Sequence, residues 1–276
     1  MPGDAAPVVK IGLIGPFEGL GRPLGYELLP VVKAALAEAN DGGQLGRYRV
    51  ALVALNDDLD PQTAAAQAHA LAQDPDLIAV LGPWTSATAA AAAPMLAQAG
   101  IPLLATAPLS APSTGIYTLC PDPEEIYAAL EAEAERLATA GSVTRVYAGD
   151  AAAAADDLIR WRVAGGEDVL IGGPDLARAW LIDQAGVAAE GTRAAVCAPA
   201  VGTTTDGALS PAARLATAGA QTLVDALAAD ITAHGRPTRA GVSAALAGHS
   251  VQTGLTWYQV EDGQWVEVKL QEESSP

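Results

Sequence analysis

The chain has 276 residues, enough for one large or two ordinary domains with a substantial core. Half of it is hydrophobic but only 4% is aromatic, with a single Phe, so the interior must be built from Ala, Val, Leu and Ile. A net charge of −17, from 32 acidic against 15 basic residues, argues against nucleic acid and anionic membrane as partners. No apolar run approaches the roughly 20 residues of a membrane span.

The opening Met1-Pro-Gly-Asp-Ala-Ala-Pro has neither a basic nor an apolar region and reads as no signal peptide. Val8–Ile14 is a continuous apolar run, the mark of a strand buried on both faces, and Leu28–Ala39 has helical periodicity. Tyr48–Leu55 is the next strand. Asn56-Asp57-Asp58-Leu59-Asp60-Pro61 then forms an acidic turn with a proline that opens the helix Gln62–Ala72. Leu77–Leu81, residues 86–99, Ile101–Ala105 and residues 116–120 continue as strand, helix, strand and short strand. This alternation predicts a parallel sheet covered by helices, a doubly wound α/β lobe.

After Cys120 the pattern restarts. Glu124–Ala138 reads as a helix, Thr144–Ala148 as a strand, 151–164 as a helix and Val169–Ile171 as a strand. Asp175–Gln184 reads as a helix and Thr192–Cys197 as a strand. Gly202–Ser210 is a turn-rich connection to a long amphipathic helix from Pro211 to about Ala233. Arg239–Ala247 is a further helix. Leu255–Val260 and Trp265–Leu270, joined through Asp262-Gly263, read as a hairpin.

Thr85 and Ser86 fall in the first turn of a helix, where unpaired N–H groups and the positive dipole end suit a carboxylate. Ser86 could equally cap that helix, and Asp175, after Pro174, could equally be a helix-start acid. Trp84 reads as cleft lining or partial core, and Glu18 with Arg22 as ligand contacts or a surface ion pair. Asp57 and Asp58 look like paired carboxylates, but their place favours a turn and helix-start role over acid–base work.

Gly19-Leu-Gly21-Arg-Pro-Leu-Gly25 is a poor dinucleotide fingerprint, because its spacing is wrong and Glu18 would repel a pyrophosphate. No Gly-x-Ser-x-Gly elbow is present, so hydrolase chemistry is unsupported. The two cysteines, Cys120 and Cys197, are too few for a metal site and read as buried thiols or a disulfide. The three histidines have no partner spacing and are given no role. No cofactor or metal is expected.

Several motifs in order resemble the type I periplasmic binding protein family, in its leucine/isoleucine/valine-binding branch. They are Lys10-Ile-Gly-Leu-Ile-Gly-Pro-Phe-Glu-Gly, Asp57-Asp58-Leu-Asp-Pro, Leu81-Gly-Pro-Trp-Thr-Ser and Ala99-Gly-Ile-Pro-Leu-Leu. Gly173-Pro-Asp-Leu, Ala188-Ala-Glu-Gly and the closing Tyr258-Gln-Val-Glu-Asp-Gly-Gln-Trp-Val complete the set. The resemblance implies two doubly wound parallel-sheet lobes joined by a three-crossover hinge. Residues 1–119 and 201–253 would form lobe 1, and 120–200 with 254–276 a reduced lobe 2. It implies a small-molecule ligand held in the family's cleft, an ABC permease or a sensor partner, and no catalysis. It also implies a periplasmic or extracellular protein, free or lipid-anchored.

Carried over by motif, Ser86 would bind a ligand carboxylate, Ala107 would match the family's backbone carbonyl after strand four, Ser110 (or, by a one-residue slip, Leu109) its hydroxyl position, and Asp175 would receive an ammonium. Trp84, Thr85, Arg22 and Glu18 would surround them. Ala151–Ala155 stand where the family has an aromatic wall. Cys120 and Cys197, at the first and second crossovers, would be disulfide partners.

Overall fold

The apolar run at the start of the chain forms β1 (Val8–Gly15), with Ile11, Leu13 and Ile14 at most 1% exposed. The computed structural model describes residues 6–110, 113–199, 209–248 and 253–269. Most of the expected Gly202–Ser210 connection lies outside them. The chain divides into two compact units, 1–120 with 198–253 and 121–197 with 254–276.

The larger unit holds a five-stranded sheet in the order β2-β1-β3-β4-β5, from β1, β2 (Arg49–Asn56), β3 (Leu77–Leu81), β4 (Leu103–Ala105) and β5 (Ile116–Thr118). Its pairings are parallel throughout. β2 lies on one side of β1 and β3 on the other, so the order reverses between β1 and β3. Right-handed crossovers then put α1 (Arg22–Asp41) on one face and α2 (Pro61–Ala72) and α3 (Ser86–Gln98) on the other. Ala64, Ala68, Ala89 and Ala92 are fully buried, and these small side chains let α2 and α3 approach closely.

α1 begins six residues before the expected helix. Pro23 suits its first turn, and the exposed Pro30 sits inside the helix, within the stretch that already reads as helical. α7 (Pro211–His234) and α8 (Arg239–Gly248) complete this unit. Gly219 of α7 lies so close to the sheet that a Cβ would meet Leu81 at 2.6 Å. At the opposite end of the strands Arg239 donates to the carbonyls of Leu77 (2.8 Å), Asp74 (2.8 Å) and Ala99 (3.2 Å), tying α8 to the base of β3.

The smaller unit holds the sheet β10-β9-β8-β7-β6, from β6 (Thr144–Tyr147), β7 (Val169–Gly172), β8 (Arg193–Pro199), β9 (Thr253–Glu261) and β10 (Gln264–Val268). β6, β7 and β8 are parallel, and β9 and β10 form the antiparallel hairpin turned by Asp262-Gly263. α4 (Pro123–Thr139), α5 (Ala151–Val163) and α6 (Ala179–Ala185) surround it.

Its least expected feature is an ionic cluster under α4. The Glu133 side chain, 1% exposed, accepts from Arg136 Nε (2.7 Å) and Nη2 (2.8 Å) and from Arg193 Nη1. Arg193 Nε reaches Gln259 at 2.6 Å, so one carboxylate joins α4, β8 and β9. Burial pushes the Glu133 carboxyl up, but the two guanidiniums outweigh it and hold it below the ordinary glutamate value.

Both cysteines are disulfide-bonded, and neither is free. Among the described residues no helix is long and apolar enough to cross a membrane, and no cluster of His, Cys, Asp or Glu could hold a metal ion.

Candidate functional site

In an open parallel sheet, ligands bind beyond the carboxyl ends of the strands where the strand order reverses. In the larger unit that place lies between β1 and β3, and most of the residues singled out from sequence stand around it. Glu18 and Arg22 follow β1, Trp84, Thr85 and Ser86 follow β3, and Ala107 and Ser110 follow β4. The fold therefore gathers three loops, separated in sequence, onto one sheet edge.

The loop after β1 leads through Gly19–Gly21, a single 3-10 turn, into α1. Glu18 and Arg22 are both exposed and, among the described residues, do not pair with each other. Arg22 instead lies over the ring of Tyr26, 5.9 Å from its centroid. The loop is pressed against α1, because a Cβ on Gly25 would meet the Pro16 carbonyl oxygen at 2.3 Å.

The loop after β3 is closely packed. Gly82 takes φ +92°, and a Cβ there would lie 2.3 Å from the Ile14 carbonyl oxygen, so glycine is needed for both reasons. Trp84 is 2% exposed, which makes its ring part of the core rather than a broad wall. Thr106 Oγ1 donates to the Pro83 carbonyl at 2.8 Å and fixes this loop to the next strand.

The helix cap belongs to Thr85, whose Oγ1 accepts from Thr88 N–H at 3.3 Å and shares a 2.7 Å hydrogen bond with Thr88 Oγ1. Ser86 is the first helical residue and is half-buried. Its hydroxyl is therefore not assigned to capping, the structural alternative open at the sequence level. We expect Thr85→Ala to destabilise the larger unit by about 1 kcal/mol through the lost cap. Urea denaturation checks this, and an unchanged midpoint would contradict the cap assignment.

After β4, Ala107 is buried and Ser110 exposed, with Leu109 buried between them. The Ala107 carbonyl already accepts from Thr118 Oγ1 at 3.2 Å, which leaves it one lone pair for any further donor.

Two side chains that sequence reasoning passed over organise the turn after β2. Asn56 Oδ1 accepts from the N–H groups of Phe17 (2.8 Å), Glu18 (3.1 Å) and Asp58 (3.2 Å). Asp60, not Asp57, caps α2, through a 2.7 Å bond from Thr63 N–H. Asp57 is wholly buried, and burial pushes its carboxyl up to about 6.

In the smaller unit Asp175 follows β7, but α6 starts only at Ala179, so Asp175 precedes the helix instead of opening it. The local reason is the turn at Gly173–Leu176, where Leu176 N–H donates to the Gly173 carbonyl. Asp175 pairs with Arg178 at 3.5 Å, with side chains 21% and 10% exposed. Burial lowers the Arg178 pKa, and the neighbouring carboxylate of Asp175 opposes that shift. The only signal in the sequence was the three-residue spacing of the two charges.

A groove of about 340 Å³ in the same unit is lined by Arg145, Tyr147, Arg160 and Trp161 among others. Its cations are committed: Arg145 lies over Trp161 and 3.6 Å from Asp168, and Arg160 pairs with Asp157.

The Periplasmic binding protein family profile matches residues 8–234. No curated protein matches the chain. Solved structures do. A leucine binding protein from Thermotoga maritima is 14% identical, with a TM-score of 0.76 over 95% of this chain and 98% of that one. An extracellular ligand-binding receptor from Rhodopseudomonas palustris is 15% identical, with a TM-score of 0.75 over 95% and 100%. A branched-chain amino acid transporter substrate binding protein from Streptococcus pneumoniae, in complex with isoleucine, is 16% identical, with a TM-score of 0.64 over 95% and 100%.

Proposed function

Because the chain belongs to the periplasmic binding protein family, we propose that it is an extracytoplasmic receptor. It captures a small solute, an amino acid or a related zwitterion or carboxylate, for an ABC permease. The observation that carries this reading is the gathering of three loops beyond the β1 and β3 carboxyl ends, with α3 presenting Ser86 in its first turn. Helix-start N–H groups and a serine hydroxyl form a donor set for a carboxylate. The solved structures with names tied to leucine, isoleucine or branched-chain transport support the solute class. The disulfide-bonded cysteines support an oxidising compartment, and in this reading the bond joins Cys120 to Cys197. Non-reducing mass spectrometry of the monomer tests that pairing.

The Asp175–Arg178 ion pair favours a second reading of the ligand. An acid already balanced by a guanidinium gains less from a ligand ammonium, so a plain carboxylate would serve as well. The test is a thermal-shift panel pairing each amino acid with its deaminated carboxylate, alongside small amides. A true ligand at a hundredfold excess over Kd should add about 2.7 kcal/mol of stability. Ser86→Ala should weaken its binding by about tenfold or more, the loss of a charge-assisted hydrogen bond. Silence across the panel, or a Ser86→Ala variant that binds as before, would remove the reading of this edge as a carboxylate site. If each amino acid and its deaminated partner act alike, Asp175 has no part in holding an ammonium.

A further inference from the structure

The loop after β1 carries Glu18 and leads into Arg22, and its first residues are bonded to the turn after β2. Asn56 Oδ1 collects the N–H groups of Phe17 and Glu18 from that loop and of Asp58 from its own turn. Next to it, Asp57 N–H donates to the Gly15 carbonyl at 3.0 Å, an oxygen that also receives Phe17 N–H at 3.1 Å. The two residues at the end of β2 thus hold both ends of the segment 15–18.

The turn that presents them is strained, with Asp58 and Leu59 at φ +52° and +58°, unusual values for residues other than glycine. It is held by the Asp57 side chain, whose Oδ1 accepts from Leu59 N–H at 3.1 Å. Asp57 Oδ2 is buried and has no hydrogen-bond partner among the described residues.

The charges acting on Asp57 are those of Asp58 and Asp60, on the same turn and both negative. From the loop after β1 it meets backbone at Gly15, while Glu18 is exposed and would add a further negative charge. An ionised carboxylate in this place is buried, bonded through one oxygen and repelled by its neighbours. The neutral acid escapes the burial of a charge and the repulsion, and keeps the bond from Leu59, while its Oδ2 stays without a partner among the described residues.

We propose that Asn56 and Asp57 are positioning residues for the loop after β1, and that Asp57 holds this loop in its protonated form and loosens it on ionising. Burial places that change near pH 6, so the loop is held more firmly in mildly acid solution than above neutrality. The inference concerns the unliganded loop, so its failure would leave the solute-binding reading untouched.

Amide NMR of the ligand-free protein between pH 5 and pH 8 tests it, with the range chosen to bracket the shifted carboxyl. The amides of Phe17, Glu18, Asp58 and Leu59 should shift together with a single midpoint near 6. Asp57→Asn retains the acceptor for Leu59 without the charge, and should fix those amides at their acid-side positions throughout. Asn56→Ala should speed solvent exchange at Phe17 and Glu18 by about tenfold, the loss of one hydrogen bond each, while the Leu59 amide stays protected. If Asn56→Ala does not fold, the Asp57→Asn titration decides alone. Amides that do not titrate, or that titrate equally in Asp57→Asn, would overturn the proposal.

Discussion

Replacing Glu133 with alanine should cost the smaller unit about 3–5 kcal/mol, because it strands a charge its partner was built to neutralise. Two guanidiniums converge on this carboxylate, and they differ in their escape routes. Arg136, 40% exposed, can turn to water, while Arg193, 18% exposed, stays under α4 with Gln259 as its neutral partner among the described residues. Most of the loss therefore comes from Arg193.

Two controls separate this from a packing defect. Replacing Glu133 and Arg193 together with leucine and methionine should recover most of the loss, since no charge remains buried. The wild-type contribution should also depend on pH in one direction. A carboxyl held below its unfolded value of 4.5 stabilises the fold above that pH, and the gain fades as pH falls through the lower folded value. Urea titrations at pH 7 and pH 3 measure both effects. A loss at pH 7 below about 1 kcal/mol would show that the cluster behaves as an exposed pair.

Asp57→Asn should act in the opposite sense and stabilise the larger unit by about 3 kcal/mol at pH 8. The folded carboxyl is raised from 3.8 to about 6, roughly two units, and each unit corresponds to about 1.4 kcal/mol. A raised acid favours the fold while protonated. Wild type therefore loses stability as pH climbs from about 3.8 to about 6, after which the penalty is constant. The asparagine variant carries no such penalty, so the two proteins should converge near pH 4 and separate above pH 6. An equal gain at both ends of the range would mean that packing, not ionisation, distinguishes them.

The strand pattern was legible because buried parallel strands leave an unbroken apolar signature. Leu77–Leu81 is buried at every position and needed no correction. The expected first helix starts late, at Leu28, because Pro23 looks like a breaker until one sees that it lies in the opening turn. Asp175 was drawn into a helix because Pro-Asp is a good helix start, yet the chain spends Gly173–Leu176 on a turn before α6.

At the site, sequence order placed Ser86, Ala107 and Ser110 after the right strands, since a loop's address follows from its strand. What a side chain bonds to does not follow in that way. Asn56 looks like an ordinary turn residue, and nothing local shows that its amide oxygen collects N–H groups from a loop 39 residues earlier. The Ala107 carbonyl likewise appears open until Thr118 arrives from a neighbouring strand.

Neither unit is a continuous stretch of chain, and this bears on how the molecule is made. The larger unit takes α7 and α8 from after residue 198, and the smaller takes its hairpin from after residue 254. During synthesis neither can finish folding until most of the chain has left the ribosome, because domains fold as units. The first 120 residues supply a complete sheet, yet Leu81 and Leu119 wait for Gly219 of α7, which lies 138 and 100 residues downstream of them. A nascent chain of this design therefore keeps part of its sheet uncovered until α7 has been made.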